Sequence, residues 1–198
     1  MAKLDFFFQI GSTYTYLSVL RIEKAAAEAG IEVQWRPFSV RTLMEEQNNI
    51  PFRGKPIKTE YMWRDIERRA LRHGLPFKPT PHYPVDREHV SNRIATYALG
   101  QGWGQQFVKA TYLAWFIDGK LPGNPAAVAD VLTGMGQDPA AVIAMADSEE
   151  VKRQHDTETN LARSLGIFGS PTFAWGREIF WGDDRLEEAL QWAREHGD

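Results

Sequence analysis

Two serine residues near opposite ends of the chain have the surroundings that thiol chemistry needs. Ser12 follows the apolar run LDFFFQI, where a predicted strand gives way to a predicted helix, and Ser170 stands directly before Pro171. The 198-residue chain has no cysteine, so any reactive sulfur must come from a ligand. A thiol is nucleophilic only as its thiolate, and the N–H groups and aligned dipoles of a helix N-terminus lower its pKa. The Ser12 hydroxyl is predicted to stabilise such a thiolate through a hydrogen bond of about 1.5–3 kcal/mol.

A purely structural role is the alternative for each of these residues. Ser12 could be a plain helix N-cap, which contributes about 1 kcal/mol. No histidine follows it at a spacing that indicates a Ser-His pair, so we do not expect Ser12 to be a nucleophile. Pro171 could be only the entry to a strand, whereas a cis bond before it would expose the Ser170 N–H and C=O to a bound peptide.

The pattern of apolar residues near the N-terminus predicts the elements that position Ser12. Residues 4–10 alternate, with Phe7 making the second face apolar too, which predicts a strand covered on both sides. A helix is predicted from the Gly11-Ser12-Thr13 cap to Gly30, and a second strand over residues 31–36. Two strands joined through one helix form a βαβ unit, so the strands are predicted to be parallel.

From about Val40 to Ala146 the strand signal disappears, and the sequence predicts a block of helices. Proline and glycine interrupt it at KPTPHYP, GQGWG and KLPGNP. The predicted helices are Tyr61–His73, His89–Leu99, Gln105–Ile117, Ala126–Gly134 and Pro139–Ala146.

The C-terminal region returns to mixed structure. Asp147 and Glu150 are spaced as a capping box for a helix that ends at Gly166. Two strands, 172–175 and 178–181, flank a two-residue turn, and Asp183 is predicted to cap the last helix. The order βαβ, helical block, αββα predicts the α/β class, with a thioredoxin-like domain (1–39 plus 147–198) and a large all-helical insertion (40–146).

Several short motifs occur in a specific order along nearly the whole chain. They are STYTYL at 12–17, WRPF at 35–38, YMWRD at 61–65, GLP at 74–76, FGSP at 168–171 and FWGDDRL at 180–186. Together they resemble the 2-hydroxychromene-2-carboxylate isomerase and kappa-class glutathione transferase branch of the DsbA-like thioredoxin superfamily. The resemblance implies glutathione as cofactor, with serine in place of the attacking cysteine of the oxidoreductases.

The resemblance also implies roles for individual residues. Ser12 matches the serine that faces the glutathione sulfur, and Thr13 and Tyr14, which follow it in the same loop, are also expected to bind glutathione. Ser170, before a cis Pro171, is expected to pair with the cysteinyl group. Asp183 and Asp184 are expected to hold the γ-glutamyl end, and Asn49, or Asn48 if the gap falls one residue earlier, to contact the peptide. The chain departs from the family at Thr13, where many members have proline, so this position has a free N–H.

Composition argues against several other classes of function. A net charge of −3 and a pI of about 6.0 give no basis for nucleic-acid binding. No apolar run has membrane-spanning length and no signal peptide is recognisable, so a cytoplasmic protein is expected. The five histidines have no zinc-binding spacing, so no metal site is expected. Exchange of disulfides needs a protein thiolate, which this chain lacks.

The leading functional hypothesis is a glutathione-dependent isomerase of an aromatic conjugated keto acid such as 2-hydroxychromene-2-carboxylate. A glutathione transferase and a non-catalytic glutathione or peptide binder are the alternatives. Lys58, Arg64 and Arg68 could meet a carboxylate of either ligand. The helical aromatics Trp63, Trp103, Tyr112, Trp115 and Phe116 could line a substrate pocket, although core positions are expected for most of them. A homodimer is expected from the resemblance alone.

Overall fold

A mixed four-stranded sheet lies at the centre of the fold. The structure is a computed structural model that describes residues 3–52, 54–78, 85–86 and 88–197. Within these residues the strands are β1 (Lys3–Phe8), β2 (Glu32–Pro37), β3 (Thr172–Trp175) and β4 (Glu178–Trp181), in the order β2-β1-β3-β4. β1 is parallel to β2 and antiparallel to β3, which in turn is antiparallel to β4. The predicted parallel pair and C-terminal hairpin are both confirmed.

Both faces of β1 are buried, as its apolar pattern predicts. Leu4, Phe6 and Phe8 lie in the larger hydrophobic core, and Phe7 lies in a smaller core on the opposite face with Phe38. Since side chains alternate along a strand, the extra apolar residue at position 7 is what allows helices to cover the second face.

The first helix is shorter than predicted. Instead of one helix up to Gly30, the chain forms α1 (Thr15–Val19) and α2 (Ile22–Ala29). The break has a local cause, because the Arg21 Nε donates to the Leu17 carbonyl, which the Arg21 N–H would otherwise use, and that N–H bonds to Ser18 instead. Gly30 ends α2 in the left-handed conformation, as predicted.

The helical block is confirmed with shifted boundaries. Its helices are α3 (Val40–Glu46), α4 (Pro56–Arg72), α5 (Val90–Gly100), α6 (Gly104–Asp118), α7 (Pro125–Gly134) and α8 (Pro139–Ala146). α3 was not among the predicted helices; Ser39 caps it by accepting from the Thr42 N–H at 3.2 Å. The predicted break KPTPHYP falls on residues 78–84, of which 79–84, with His82, lie outside the described residues.

The last helices are α9 (Glu149–Ser164) and α10 (Leu186–His196), with a 3₁₀ turn at Asp183–Arg185. Both predicted caps are wrong. Ser148, not Asp147, caps α9 by accepting from the Val151 N–H at 3.4 Å. Asp183 lies in the 3₁₀ turn, two residues before Arg185, which is the N-cap residue of α10. Its carboxylate pairs with Arg69 instead.

Most of the helical aromatics belong to the core, as expected. Tyr112, Trp115 and Phe116 of α6 are fully buried. Trp63 packs against Trp115, and Trp103 packs against Phe107 of the same helix. None of the five lines the cavity described below.

Candidate active site

The loop that follows β1 is held in place by a buried asparagine. The Asn92 Oδ1 accepts from the Ile10 N–H at 2.8 Å, and its Nδ2 donates to the Ile10 carbonyl at 2.9 Å. The same Nδ2 also donates to Asp86 Oδ2 at 2.8 Å, and the carboxylate of Asp86 accepts from the N–H groups of Ser91 and Asn92. Burial raises the pKa of Asp86. Asn92 of α5 thus pairs with both peptide groups of Ile10, two residues beyond the end of β1.

A tyrosine of α6 also forms hydrogen bonds to this loop. The buried Tyr112 hydroxyl contacts two carbonyl oxygens, those of Gln9 at 2.9 Å and Ser12 at 3.0 Å. Burial raises the pKa of Tyr112, so the group stays protonated. Gly11 between them has φ +111°, and a Cβ there would lie 3.1 Å from the Val85 carbonyl oxygen. The positive φ is what favours glycine at this position, and the contact with Val85 would be tight for any added Cβ.

Ser12 and Ser170 are in direct contact. The Ser12 Oγ donates to the Ser170 carbonyl oxygen at 2.7 Å. Ser12 does not cap the helix, because α1 begins at Thr15 and no side chain caps it. The predicted cap is therefore wrong, and α1 has only five residues, so the stabilisation of a thiolate here depends on the Ser12 hydroxyl more than on a helix dipole.

Ser170 presents a polar backbone edge beside Ser12. Its peptide bond to Pro171 is cis, as expected. The Ser170 Oγ accepts from the Gln9 N–H at 3.0 Å and lies 2.9 Å from the Thr15 Oγ1. In the described part of the chain no hydrogen bond is found for the Ser170 N–H. A donor of this kind beside a cavity can be satisfied by a bound peptide.

A cavity of about 810 Å³ opens in front of the two serines. Ser12, Thr13, Tyr14 and Ser170 all line it, so the structure brings together four of the predicted residues. Most of its remaining wall is apolar or aromatic: Val40, Met44, Ile50, Pro51, Phe52, Tyr61, Met62 and Trp181. The volume lies within the range of small-molecule sites.

Thr13 and Tyr14 tie the loop to α4. The Thr13 Oγ1 donates to the Met62 Sδ at 3.1 Å, and the Tyr14 hydroxyl donates to the Asp65 Oδ2 at 3.0 Å. Burial and the nearby Asp65 carboxylate raise the pKa of Tyr14. Tyr14 is therefore a hydrogen-bond donor and not a base at neutral pH.

The two aspartates expected at the γ-glutamyl end do not line the cavity, and they differ from one another. The Asp183 side chain is 1% exposed, and its Oδ2 lies 2.8 Å from the Arg69 Nη2. Burial raises the pKa of Asp183 to about 7, although Arg69 opposes the shift. Asp184 is 51% exposed and lies 3.6 Å from Arg185. Of the two carboxylates, only that of Asp184 is accessible to a ligand.

Of the other residues expected to contact a ligand, only Lys58 lines the cavity. Asn48 and Asn49 are exposed on the turn after α3, and Asn49 does not line the cavity, although its neighbour Ile50 does. Pro171 is buried and does not line the cavity. Lys58 lines the cavity, with its Nζ 5.4 Å from the Phe52 ring centre. Arg64 and Arg68 are paired instead with carboxylates of their own helix, Glu67 and Asp65.

Sequence reasoning missed Gln9, Arg41 and Trp181 of the cavity wall. Gln9 follows β1 directly, and Arg41 lies in the first turn of α3, shortly after the end of β2. The carboxyl ends of parallel strands meet at one edge of a sheet. The position of Arg41 shortly after WRPF was therefore a signal that it lies near Ser12.

The described ranges contain no group of three or more histidine, aspartate or glutamate side chains placed to hold a metal ion. They also contain no helix with the length and apolar character that crossing a bilayer requires.

A family model of the DSBA-like thioredoxin domain matches residues 3–191. The chain belongs to the DSBA-like thioredoxin domain family. Within this family it is 25% identical over 185 residues to a 2-hydroxychromene-2-carboxylate isomerase of Pseudomonas putida, covering 92% of this chain and 90% of the relative. It is also 25% identical over 207 residues to glutathione S-transferase kappa 2 of Caenorhabditis elegans, covering 97% and 92%.

Two solved structures have the same fold as this chain. The structure of a 2-hydroxychromene-2-carboxylate isomerase superposes with a TM-score of 0.84 at 25% identity, covering 99% of this chain and 98% of that one. The cytosolic disulfide reductase DsbM of Pseudomonas aeruginosa, solved with GSH, has a TM-score of 0.65 at 17% identity and covers 96% and 95%. The second likeness shows the fold alone. The predicted thioredoxin-like fold is confirmed.

Proposed function

We propose that this chain is a glutathione-dependent isomerase that acts on an aromatic conjugated keto acid of the 2-hydroxychromene-2-carboxylate type. The observation that carries the proposal is the contact between Ser12 and Ser170 at the wall of a large, mainly apolar cavity. The similarity to isomerases over more than nine-tenths of the chain supports it.

The residues around the two serines fit glutathione. The Ser170 N–H, with no partner among the described groups, would pair with the cysteinyl part of the peptide. Asp184 and Lys58 are accessible charges for its ammonium and carboxylate ends. The chemistry that glutathione supplies in such a reaction is reversible addition of its thiolate to the unsaturated carbon, rotation about the resulting single bond, and elimination.

Ser12 has one role in this account, which is to hold the sulfur as thiolate. In the structure its hydroxyl donates to the Ser170 carbonyl. When glutathione is bound, the hydroxyl would rotate and donate to the sulfur instead. A charge-assisted hydrogen bond contributes about 1.5–3 kcal/mol, and about 1.4 kcal/mol corresponds to one pKa unit. The hydroxyl would thus lower the thiol pKa by about one to two units without itself changing charge.

A glutathione transferase is the second candidate, favoured by the similarity to the kappa-class relative. It would use Ser12 in the same way. The difference is that a transferase leaves glutathione bonded to its product, whereas an isomerase releases it unchanged. A non-catalytic glutathione binder would retain binding without lowering the thiol pKa.

The remaining expectations belong to the same proposal. We propose a homodimer, a cytoplasmic location, and a thioredoxin-like domain of residues 1–39 and 147–198 with a helical insertion over residues 40–146. Light scattering after size-exclusion chromatography tests the dimer.

The direct test is incubation of 2-hydroxychromene-2-carboxylate with the protein, with and without glutathione, followed by chromatography and mass analysis. We expect a sulfur-free isomer that forms only when glutathione is present, and at least about tenfold less of it with Ser12→Ala. Ser164→Ala, on the exposed end of α9, is the matched control. A glutathione conjugate as final product would favour the transferase, and no conversion of this or any related acid would contradict both enzymes.

A further inference from the structure

We infer that the guanidinium group of Arg41 forms a carboxylate-binding subsite in the cavity, and that it selects and orients the acid group of the substrate. The inference deepens the proposed function and depends on it for the identity of the substrate. The presence of an anion subsite can be measured independently of catalysis.

The backbone of Arg41 is fixed relative to the two serines. Its N–H donates to the Gln9 Oε1 at 3.2 Å, and the Gln9 N–H donates to the Ser170 Oγ at 3.0 Å. Gln9 is 4% exposed, so this link is buried. Arg41 is therefore attached to the network that positions Ser12 and Ser170, and it lines the same cavity.

The side chain of Arg41 has no anionic partner among the described residues. Its Nε is buried without a hydrogen-bond partner among the described residues. No carboxylate in those ranges lies within ion-pair distance of it, although other half-buried arginines have one: Arg36 pairs with Asp5 and Glu158, and Arg69 with Asp183. A buried N–H donor without a partner is costly, and a carboxylate bound to the guanidinium would remove that cost.

A histidine near Arg41 does not supply the missing negative charge. Burial lowers the pKa of His89, and the positive charge of Arg41 lowers it further. A neutral imidazole does not compensate the Arg41 charge. The carboxylate of Glu45 lines the same cavity, so an anion at Arg41 would share the wall with one negative charge.

The chemistry of the wall indicates which anion. Met44 of α3, Met62 of α4 and Phe52 contribute apolar surface to the cavity wall. A flat aromatic body suits such a wall, and a planar guanidinium binds a carboxylate through two parallel hydrogen bonds. The preferred ligand is therefore an aromatic acid with its carboxylate at Arg41 and its reactive carbon towards Ser12. Lys58 is a less specific cation, since it is exposed and lies against the Phe52 ring.

The test compares two unreactive probes of the same shape, 2-naphthoate and its neutral amide, 2-naphthamide. Calorimetric titration into the parent protein should show about tenfold or more tighter binding of the naphthoate. Arg41→Gln should remove this preference and leave binding of the amide unchanged, while Arg41→Lys should retain part of it. Arg64→Gln, which removes a cation outside the cavity, should behave as the parent.

Several results would overturn the inference: no preference for the acid in the parent, or the same preference in folded Arg41→Gln, as judged by circular dichroism. The comparison of the two probes on the parent protein needs no variant, so the absence of a preference there would overturn the inference even if a substitution prevents folding. Each titration is repeated with saturating glutathione. An Arg41-dependent preference in a protein that does not bind glutathione would sustain the subsite and contradict the proposed function. Glutathione binding without the preference would do the reverse.

Discussion

The Ser12 hydroxyl donates to the Ser170 carbonyl at 2.7 Å, across a separation of 158 residues. The contact exists because β1 and β3 are neighbours, with Phe7 opposite Thr172, so the loop after β1 meets the turn before β3. The consequence is chemical. A non-titrating donor is already aimed at the backbone edge where a peptide would bind.

The first prediction concerns the buried asparagine behind this loop. Asn92→Leu should lower the free energy of unfolding by about 2–4 kcal/mol, because the Ile10 N–H and C=O and the Asp86 carboxylate all lose a partner in the interior. Urea denaturation measures the change. Asn160→Ala, on the exposed surface of α9, should stay within about 0.5 kcal/mol of the parent. Equal effects of the two variants would contradict the bracing role of Asn92.

The second prediction concerns the hydroxyl of Tyr112. Tyr112→Phe should cost about 1–3 kcal/mol, since the carbonyls of Gln9 and Ser12 lose their shared donor in a buried place. Tyr97→Phe is the control, because in the described residues no hydrogen bond is found for the Tyr97 hydroxyl. Thermal unfolding of the two variants, side by side, checks the difference. A Tyr112→Phe protein as stable as Tyr97→Phe would mean that the hydroxyl does not hold the loop.

The third prediction is a pH dependence caused by Asp183. Its pKa of about 7 in the folded protein is above the ordinary value of about 3.9, so the folded state binds a proton that the unfolded state does not between about pH 4 and 7. Its contribution is therefore largest below about pH 4 and is lost as the pH rises to about 7. The free energy of unfolding of the parent, minus that of Asp183→Asn, should fall across this window by up to a few kcal/mol. A difference that rises with pH would show that Arg69 outweighs burial.

The fourth prediction has the opposite sign and concerns His155. Burial, and then the charges of His89 and Arg93, lower its pKa to about 3. Between about pH 6.5 and 3 the unfolded state binds the proton more readily, so stability is full above about pH 6.5 and falls as the pH decreases. At about pH 5 the loss should be about 2 kcal/mol in the parent, and His155→Leu should remove it. Urea midpoints at about pH 5 and 7.5 give the comparison; an identical loss in both proteins would exclude His155 as its source.

Much of the fold was predictable because periodicity reports burial. The alternation of residues 4–10 with Phe7 on the second face predicted a strand buried on both sides, and the turn Gly176-Arg177 predicted the hairpin with its bounds. The sequence predictions were wrong where a polar side chain forms a contact that the local sequence pattern does not reveal. Arg21 interrupts the first helix by bonding to Leu17, and Asp183 leaves its capping place for an ion pair with Arg69.

The site was predictable in part for a related reason. Ser12 and Ser170 stand beside motifs with recognisable local chemistry, and strand pairing brings them together. Gln9 and Arg41 have no motif of their own, and their importance comes from tertiary contacts between the ends of two strands and α3. A single sequence does not reveal that the buried Nε of Arg41 has no hydrogen-bond partner among the described residues.

The central claim is that Ser12 lowers the pKa of a bound glutathione thiol. The measurement is the thiolate absorbance of protein-bound glutathione as a function of pH, in the parent protein and in Ser12→Ala, with binding checked by calorimetry. The account predicts a pKa below that of free glutathione in the parent, and a value about one to two units higher in Ser12→Ala with affinity much less affected. An equal thiol pKa in the two proteins would contradict the account and leave Ser12 with only its bond to Ser170.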